Sequence, residues 1–323
     1  MLTSDRIFGI SFLFQTVVGV LGNAAMFLVY VRVFAAQPRQ KKPTDLILTH
    51  LTLSNTGLLL TRGVPETMAG FGMKNILDDF GCKMLVYLRR VARGLSICTT
   101  CLLSVFQAVT VSPGTSRWAR FKPRAPRYIV PSFLFFWSLN MSIYINSIKS
   151  AQATKNVTTT GNTYVSKYCS SIPKTSEFSV VATVTAIAIR DLFFVLLMSG
   201  ASGYLVIVLR RHHRQVQHIH GTARSPRSSA ETKAIRTILL LVICFVCFYC
   251  VDSCITFYIS FMEEYDNKML NTSSFISSCY SSVCPLVLIR RDPRFPSFQR
   301  SHEKGTDPSL SVSSRDQSVT PAR

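Results

Sequence analysis

The sequence predicts an all-α integral membrane protein, a bundle of seven transmembrane helices with its N-terminus outside. Three observations predict it. The 323 residues are 48% hydrophobic and only 16% charged, against about 25% charged in a typical soluble domain. The apolar residues are clumped into blocks long enough to cross a bilayer, which takes about 20 residues each. The charges between the blocks are distributed asymmetrically, basic residues falling on one side.

The blocks run 7–31, 45–64, 84–111, 129–148, 179–209, 235–260 and 270–289. The first, fourth and sixth are the cleanest. The second carries Asp45 and His50 at its start, the third and fifth contain charges, and the seventh is rich in Ser and Cys. The first block is too long for the apolar core of a cleavable signal peptide, so it reads as a first span that acts as its own insertion signal. Residues 1–294 are expected to form the bundle, and the polar segment 295–323 a disordered cytoplasmic tail.

Loop charge sets the orientation. With the N-terminus outside, the inner loops are 32–44, 112–128 and 210–234. Together with Arg236 they hold 16 Lys and Arg against one acid, Glu231. The outer loops hold seven basic residues and seven acidic ones, the latter including Glu66, Asp78 and Asp79. These outer acids read as solvated surface. Asn156 heads a glycosylation sequon in the long second outer loop, and Asn271 heads a second at the mouth of span seven. A third, at Asn140, falls inside span four and reads as a chance match. Ser228 to Glu231 forms a capping-box pattern, so helix six is expected to start in the cytoplasm.

The net charge of +20 raises the question of nucleic acid. The charges alternate with apolar blocks and no nucleic-acid motif accompanies them, so no nucleic-acid partner is expected. No nucleophile elbow, phosphate loop or HExxH motif is present, and the chain is not expected to be an enzyme. The cysteines at 98, 101, 244, 247, 250 and 254 lie inside apolar blocks at helical spacing. They read as packing, not as a zinc site. No metal or cofactor is expected.

Cys82 opens span three from outside and Cys169 lies in the second outer loop. Both face an oxidising compartment, where a disulfide between them is chemically reasonable and two free thiols are the alternative. Span three carries Arg89, Arg90 and Arg93. Charges inside a span are costly and usually functional. Arg89, Arg93 and Ser96 share a helix face, with Arg89 roughly 10 Å and Arg93 roughly 16 Å below Cys82 at helical rise. Asp191 in span five and Asp252 in span six fall at similar depth. An ionic cluster in the outer half of the bundle follows, serving either a ligand or helix packing.

Long segments resemble the vomeronasal type 1 receptors. They are Lys42–Leu51 (KPTDLILTHL), the run from Met73 to Pro113 containing KNILDDFGCK and YLRRVARGLSICTTCLLSVFQAVTVSP, QVQHIH at 215–220, SPRSS at 225–229, TILLLVICFVCFYC at 237–250, and Val283-Cys284-Pro285 through Arg294. The resemblance runs from about Gly19 to Arg294. It implies a rhodopsin-like bundle with a Cys82–Cys169 bridge and a glycan at Asn156. It implies a G-protein-coupled chemosensory receptor for pheromones or related small social odorants, acting through an inhibitory-class heterotrimeric G protein. It places the chain in the plasma membrane of vomeronasal sensory neurons.

The expected partners are thus a small extracellular ligand, a G protein and the lipid bilayer. The ligand is expected between helices three, five, six and seven, against Arg89, Arg93, Ser96, Asp191 and Asp252. Gln107, Arg210, Arg211, Lys233 and Arg236 are expected to face the G protein. A cluster of arginines hints at an anionic ligand. Gln107 stands where the wider class has its DRY triplet, helix six has no proline, and Pro285 lacks the NPxxY context. Asp252 and the basic first inner loop depart from the family pattern. A bitter-taste-type receptor would share the bundle, and a small-molecule transporter would show internal repeats, which are absent.

Overall fold

A computed structural model describes residues 3–36, 42–73, 76–145, 148, 151–153, 164–165, 168–171, 177–219, 226–261, 267–292 and 294–295. Seven long helices dominate it: α1 (Thr3–Ala36), α2 (Pro43–Gly70), α3 (Asp79–Val111), α4 (Ile129–Tyr144), α5 (Glu177–Ile219), α6 (Pro226–Phe261) and α7 (Asn267–Arg291). The short strands β1 (Ala151–Ala153), β2 (Tyr164–Val165) and β3 (Cys169–Ser171) pair antiparallel in the order β1-β3-β2. This small sheet is the one departure from an all-helical chain among the described residues. It lies in the second outer loop. The tail beyond Phe295 and the Asn156 sequon lie outside the described residues.

Five helices, α1, α3, α5, α6 and α7, contain stretches long and apolar enough to cross a membrane. The other two fall short for different reasons. α4 has only 16 residues, about 24 Å of helix. α2 carries Asp45, Asn55 and Glu66, all buried in the bundle, along its 28 residues. The outer surface is apolar instead. Ile7, Phe14, Leu21 and Leu28 stand exposed at heptad spacing along α1, and Val181, Ile189, Leu192, Phe193 and Leu196 stand exposed on α5. In water such faces would be a liability; against lipid tails they cost nothing.

α3 runs through the centre. Val91, Leu95, Cys98, Cys101 and Phe106 are buried in one core with Met198 of α5, Phe245 of α6 and Tyr280 of α7. The Asp78 side chain starts this helix by accepting a hydrogen bond from the Gly81 amide at 2.7 Å. α2 continues past the expected end at residue 64 and through Pro65 to Gly70. It closes where Gly72 takes a positive φ of 86°, the left-handed turn that glycine adopts without strain. α6 begins at Pro226, so the Ser228–Glu231 pattern lies inside the helix instead of capping it.

Candidate functional site

Cys82 and Cys169 are joined by a disulfide that spans 87 residues of sequence. The bond holds β3 against the outer end of α3. Asp79 strengthens the attachment by accepting the Ala153 amide at 2.7 Å. The residue next to the bridge, Tyr168, is thereby fixed over the bundle, where it is almost fully buried. Its hydroxyl receives Arg89 at 3.3 Å and donates to Glu66 Oε1 at 3.2 Å. Glu66 is buried in α2, not solvated surface. A roof therefore forms from α2, α3 and the second outer loop.

One turn below this roof, Arg93 pairs with Asp252 of α6 at 2.8 Å. Asp252 is nearly fully buried and also accepts Ser273 Oγ of α7 at 2.9 Å. Arg93 leans toward the Tyr249 ring, 5.8 Å from its centroid, and reaches Ser277 Oγ at 3.5 Å. Ser277 is shared, because Arg62 of α2 donates to the same hydroxyl and to Ser274 Oγ at 3.2 Å. Among the described residues Arg62 makes no ion pair, and its Nε is buried without a partner.

Asp191 belongs to a second cluster. Arg190 donates to Asp191 at 2.8 Å and crosses to α4, where it meets Asn140 Oδ1 and, at 2.8 Å, the Tyr144 hydroxyl. Both Arg190 and Asp191 are buried. Gly94 of α3 makes room for them: a Cβ there would collide with Asn140 Oδ1. The Asn140 sequon is thus a helix-packing residue. The two clusters touch through Tyr249, whose ring faces Arg93 and whose hydroxyl donates to Asp191 at 3.2 Å.

A cavity of about 30 Å³ sits below Arg93 and Asp252, lined also by Ser96, Tyr249, Ser277 and Tyr280. It has room for about two water molecules. Its walls come from α2, α3, α6 and α7, so α2 stands where α5 was expected, and Asp191 acts on it only through Tyr249. Ser96 forms part of the floor by donating to Asn55 Oδ1 at 2.8 Å. Of the five expected pocket residues, the structure brings Arg93, Ser96 and Asp252 to the cavity. Arg89 belongs to the roof and Asp191 to the neighbouring cluster.

The fold resembles that of solved receptors. The crystal structure of squid rhodopsin superposes with a TM-score of 0.70 over 97% of this chain and 89% of that one, at 15% identity. Sequence decides the family. The profile of the vomeronasal organ pheromone receptor family matches residues 6–301. The chain belongs to this family. It is 40% identical over 282 residues to olfactory receptor class A-like protein 1 of Danio rerio, covering 87% of this chain and 88% of the relative. It is 38% identical over 298 residues to vomeronasal type-1 receptor 3 of Homo sapiens, covering 92% and 94%. It is a multi-pass chemosensory G-protein-coupled receptor, not an enzyme, with an extracellular ligand and a G protein as partners.

The inner face of this receptor is built differently. Arg294, just past α7, donates to both carboxylate oxygens of Asp45 on α2, at 3.0 and 3.3 Å, and lies over the Tyr30 ring of α1. Asp45 is almost fully buried and also accepts the Lys42 amide at 3.0 Å. Arg210, Arg211 and Arg236 are exposed at the inner ends of α5 and α6, while Gln107 is buried in α3. The Lys233 side chain lies outside the described residues. Asn271 is buried within the first turns of α7.

Sequence reasoning missed Arg62 and Glu66. The signal that would have found Arg62 is a charge inside a span. Glu66 fell beyond the apolar block that ends at residue 64 and so was placed in the outer loop, although α2 continues through Pro65 to Gly70.

Proposed function

We propose that this receptor detects a small pheromone or related social odorant carrying an anionic group, at the cavity beneath Tyr168. The observation that carries the reading is the shared Ser277 hydroxyl, held by both Arg62 and Arg93. Around it and the roof, Arg62, Arg89 and Arg93 face two carboxylates, Glu66 and Asp252. A carboxylate or sulfate would supply the missing negative charge, with bidentate geometry suited to a guanidinium. To do so it would take Arg93 from Asp252 or Arg62 from Ser277. Such a ligand shifts the receptor only by binding one arrangement of the helices more tightly than another.

The receptor then signals through an inhibitory-class G protein, contacted by the exposed basic ends of α5 and α6. In this reading it works in the plasma membrane of vomeronasal sensory neurons, which the names of its relatives support, and carries a glycan on Asn156. The test is a ligand screen in cells expressing the receptor with a promiscuous G protein, followed by pertussis toxin with the native complement. Carboxylate or sulfate ligands should evoke calcium responses, and Arg93→Lys, which keeps a charge beside Asp252 but loses the bidentate fork, should raise their half-maximal concentration at least about tenfold without loss of surface expression. Activation by neutral compounds alone refutes the anionic class. Toxin-insensitive signalling refutes the G-protein class.

A further inference from the structure

The second inner loop has features that neither the ligand site nor the bundle core uses. It folds into two 3-10 turns, Arg117–Arg120 and Ala125–Tyr128, between α3 and α4. Arg120, Lys122, Arg124 and Arg127 are all exposed. So are three aromatic rings, Trp118 at 49%, Phe121 at 52% and Tyr128 at 59%. Trp118 and Phe121 lie side by side, with ring centroids 6.2 Å apart. No acidic residue occurs anywhere between Asp79 and Glu177, so neither the loop nor the flanking turns of α3 and α4 carry an acid to offset the basic groups.

The loop is also held in place. Ser112 and Ser116 both meet the Tyr204 hydroxyl of α5, at 2.9 and 3.3 Å, and Ser116 caps the first turn by accepting the Trp118 amide. The aromatic surface continues into the exposed apolar face of α4 at Val130, Leu134 and Phe135.

We infer that this loop is a docking surface for acidic phospholipid headgroups of the inner leaflet. The chemistry fits on both counts. Trp and Tyr partition to the headgroup level of a bilayer, with their rings among the upper acyl chains. Lys and Arg near an anionic leaflet each add attraction, falling off within a Debye length. Continuity with the lipid-facing side of α4 sets the rings at the membrane boundary, and the absence of acids leaves the four cations free to gather anionic lipid. A G-protein surface would also be basic and apolar, but it would not need to run into the lipid face of α4.

The chain has two tryptophans, Trp118 and Trp137, which makes the test direct. Full-length receptor carrying Trp137→Phe is reconstituted into nanodiscs, leaving Trp118 as the sole indole. Its emission is measured with equal mole fractions of brominated phosphatidylserine or brominated phosphatidylcholine. Quenching by the serine lipid should be at least about twofold stronger, and high salt should shrink the difference. The variant R120Q/K122Q/R124Q/R127Q in the same background should quench equally with both lipids. Equal quenching in the parent protein overturns the inference, as does a preference that survives the fourfold change. A Trp118 signal that responds only to added G protein also overturns it and assigns the loop to that partner.

Discussion

The outer and inner halves of the bundle handle buried charge in opposite ways. The inner half closes its charge into one compact group: Arg294 bonds both oxygens of Asp45, lies 3.6 Å from Asp292 and rests over the Tyr30 ring, and the Lys42 amide adds a bond to Asp45, while Arg294 Nη1 stays buried without a partner. The outer half spreads its charges over α2, α3, α5 and α6, and shares neutral groups of α4 and α7 between them. Ser277 serves two arginines, Tyr168 links an arginine to a glutamate, and Tyr249 touches both clusters. A compact group fixes geometry. A shared network lets one contact be exchanged for another, and a ligand that favours one set of contacts shifts the receptor toward it.

The largest break in that contrast comes from Asp191. Its removal leaves Arg190 buried without its counter-charge, a loss of about 3–5 kcal/mol. Asp191→Ala should collapse surface expression and lower the thermal-inactivation midpoint of solubilised receptor. The double change Arg190→Leu with Asp191→Leu should recover part of the loss, because it removes the stranded charge. A full recovery would show that the pair serves the fold less than the neighbouring Asn140 and Tyr144 do.

Gly94→Ala comes next. Alanine is the better helix former, but its methyl would collide with Asn140 Oδ1, and overpacking of this kind costs about 1–3 kcal/mol. Destabilisation with an unchanged ligand response in the surviving receptor would separate the α4–α5 cluster from the ligand site. The smallest effect is expected at the inner pair. Asp45→Asn keeps one oxygen for the Lys42 amide but turns the other into a donor facing Arg294, which retains Asp292, so about 1.5 kcal/mol is expected. Ligand dose–response curves should not move. A shift there would mean that the two halves communicate.

The fold was legible wherever physics acts on long averages. Apolar blocks and the basic excess in the loops are sums over many residues, and the long family segments added detail. The pair Cys82 and Cys169 stood out because few cysteines fall on the outer side. Arg93 and Asp252 stood out as charges in apolar surroundings. Which carboxylate meets which arginine could not be read, because depth along a helix is legible but rotation about its axis is not. Asp191 is at the right depth and belongs to the other cluster. The position of Gly94 was illegible for a related reason: its role is set by a side chain on another helix, and glycine leaves no trace in a hydropathy pattern.

The cavity under Arg93 holds space for about two waters. If the ligand binds there as proposed, the surrounding helices must part to admit it. Its apparent affinity is then the intrinsic value reduced by the fraction of receptors already open. On that reading a substitution that props the helices apart raises sensitivity.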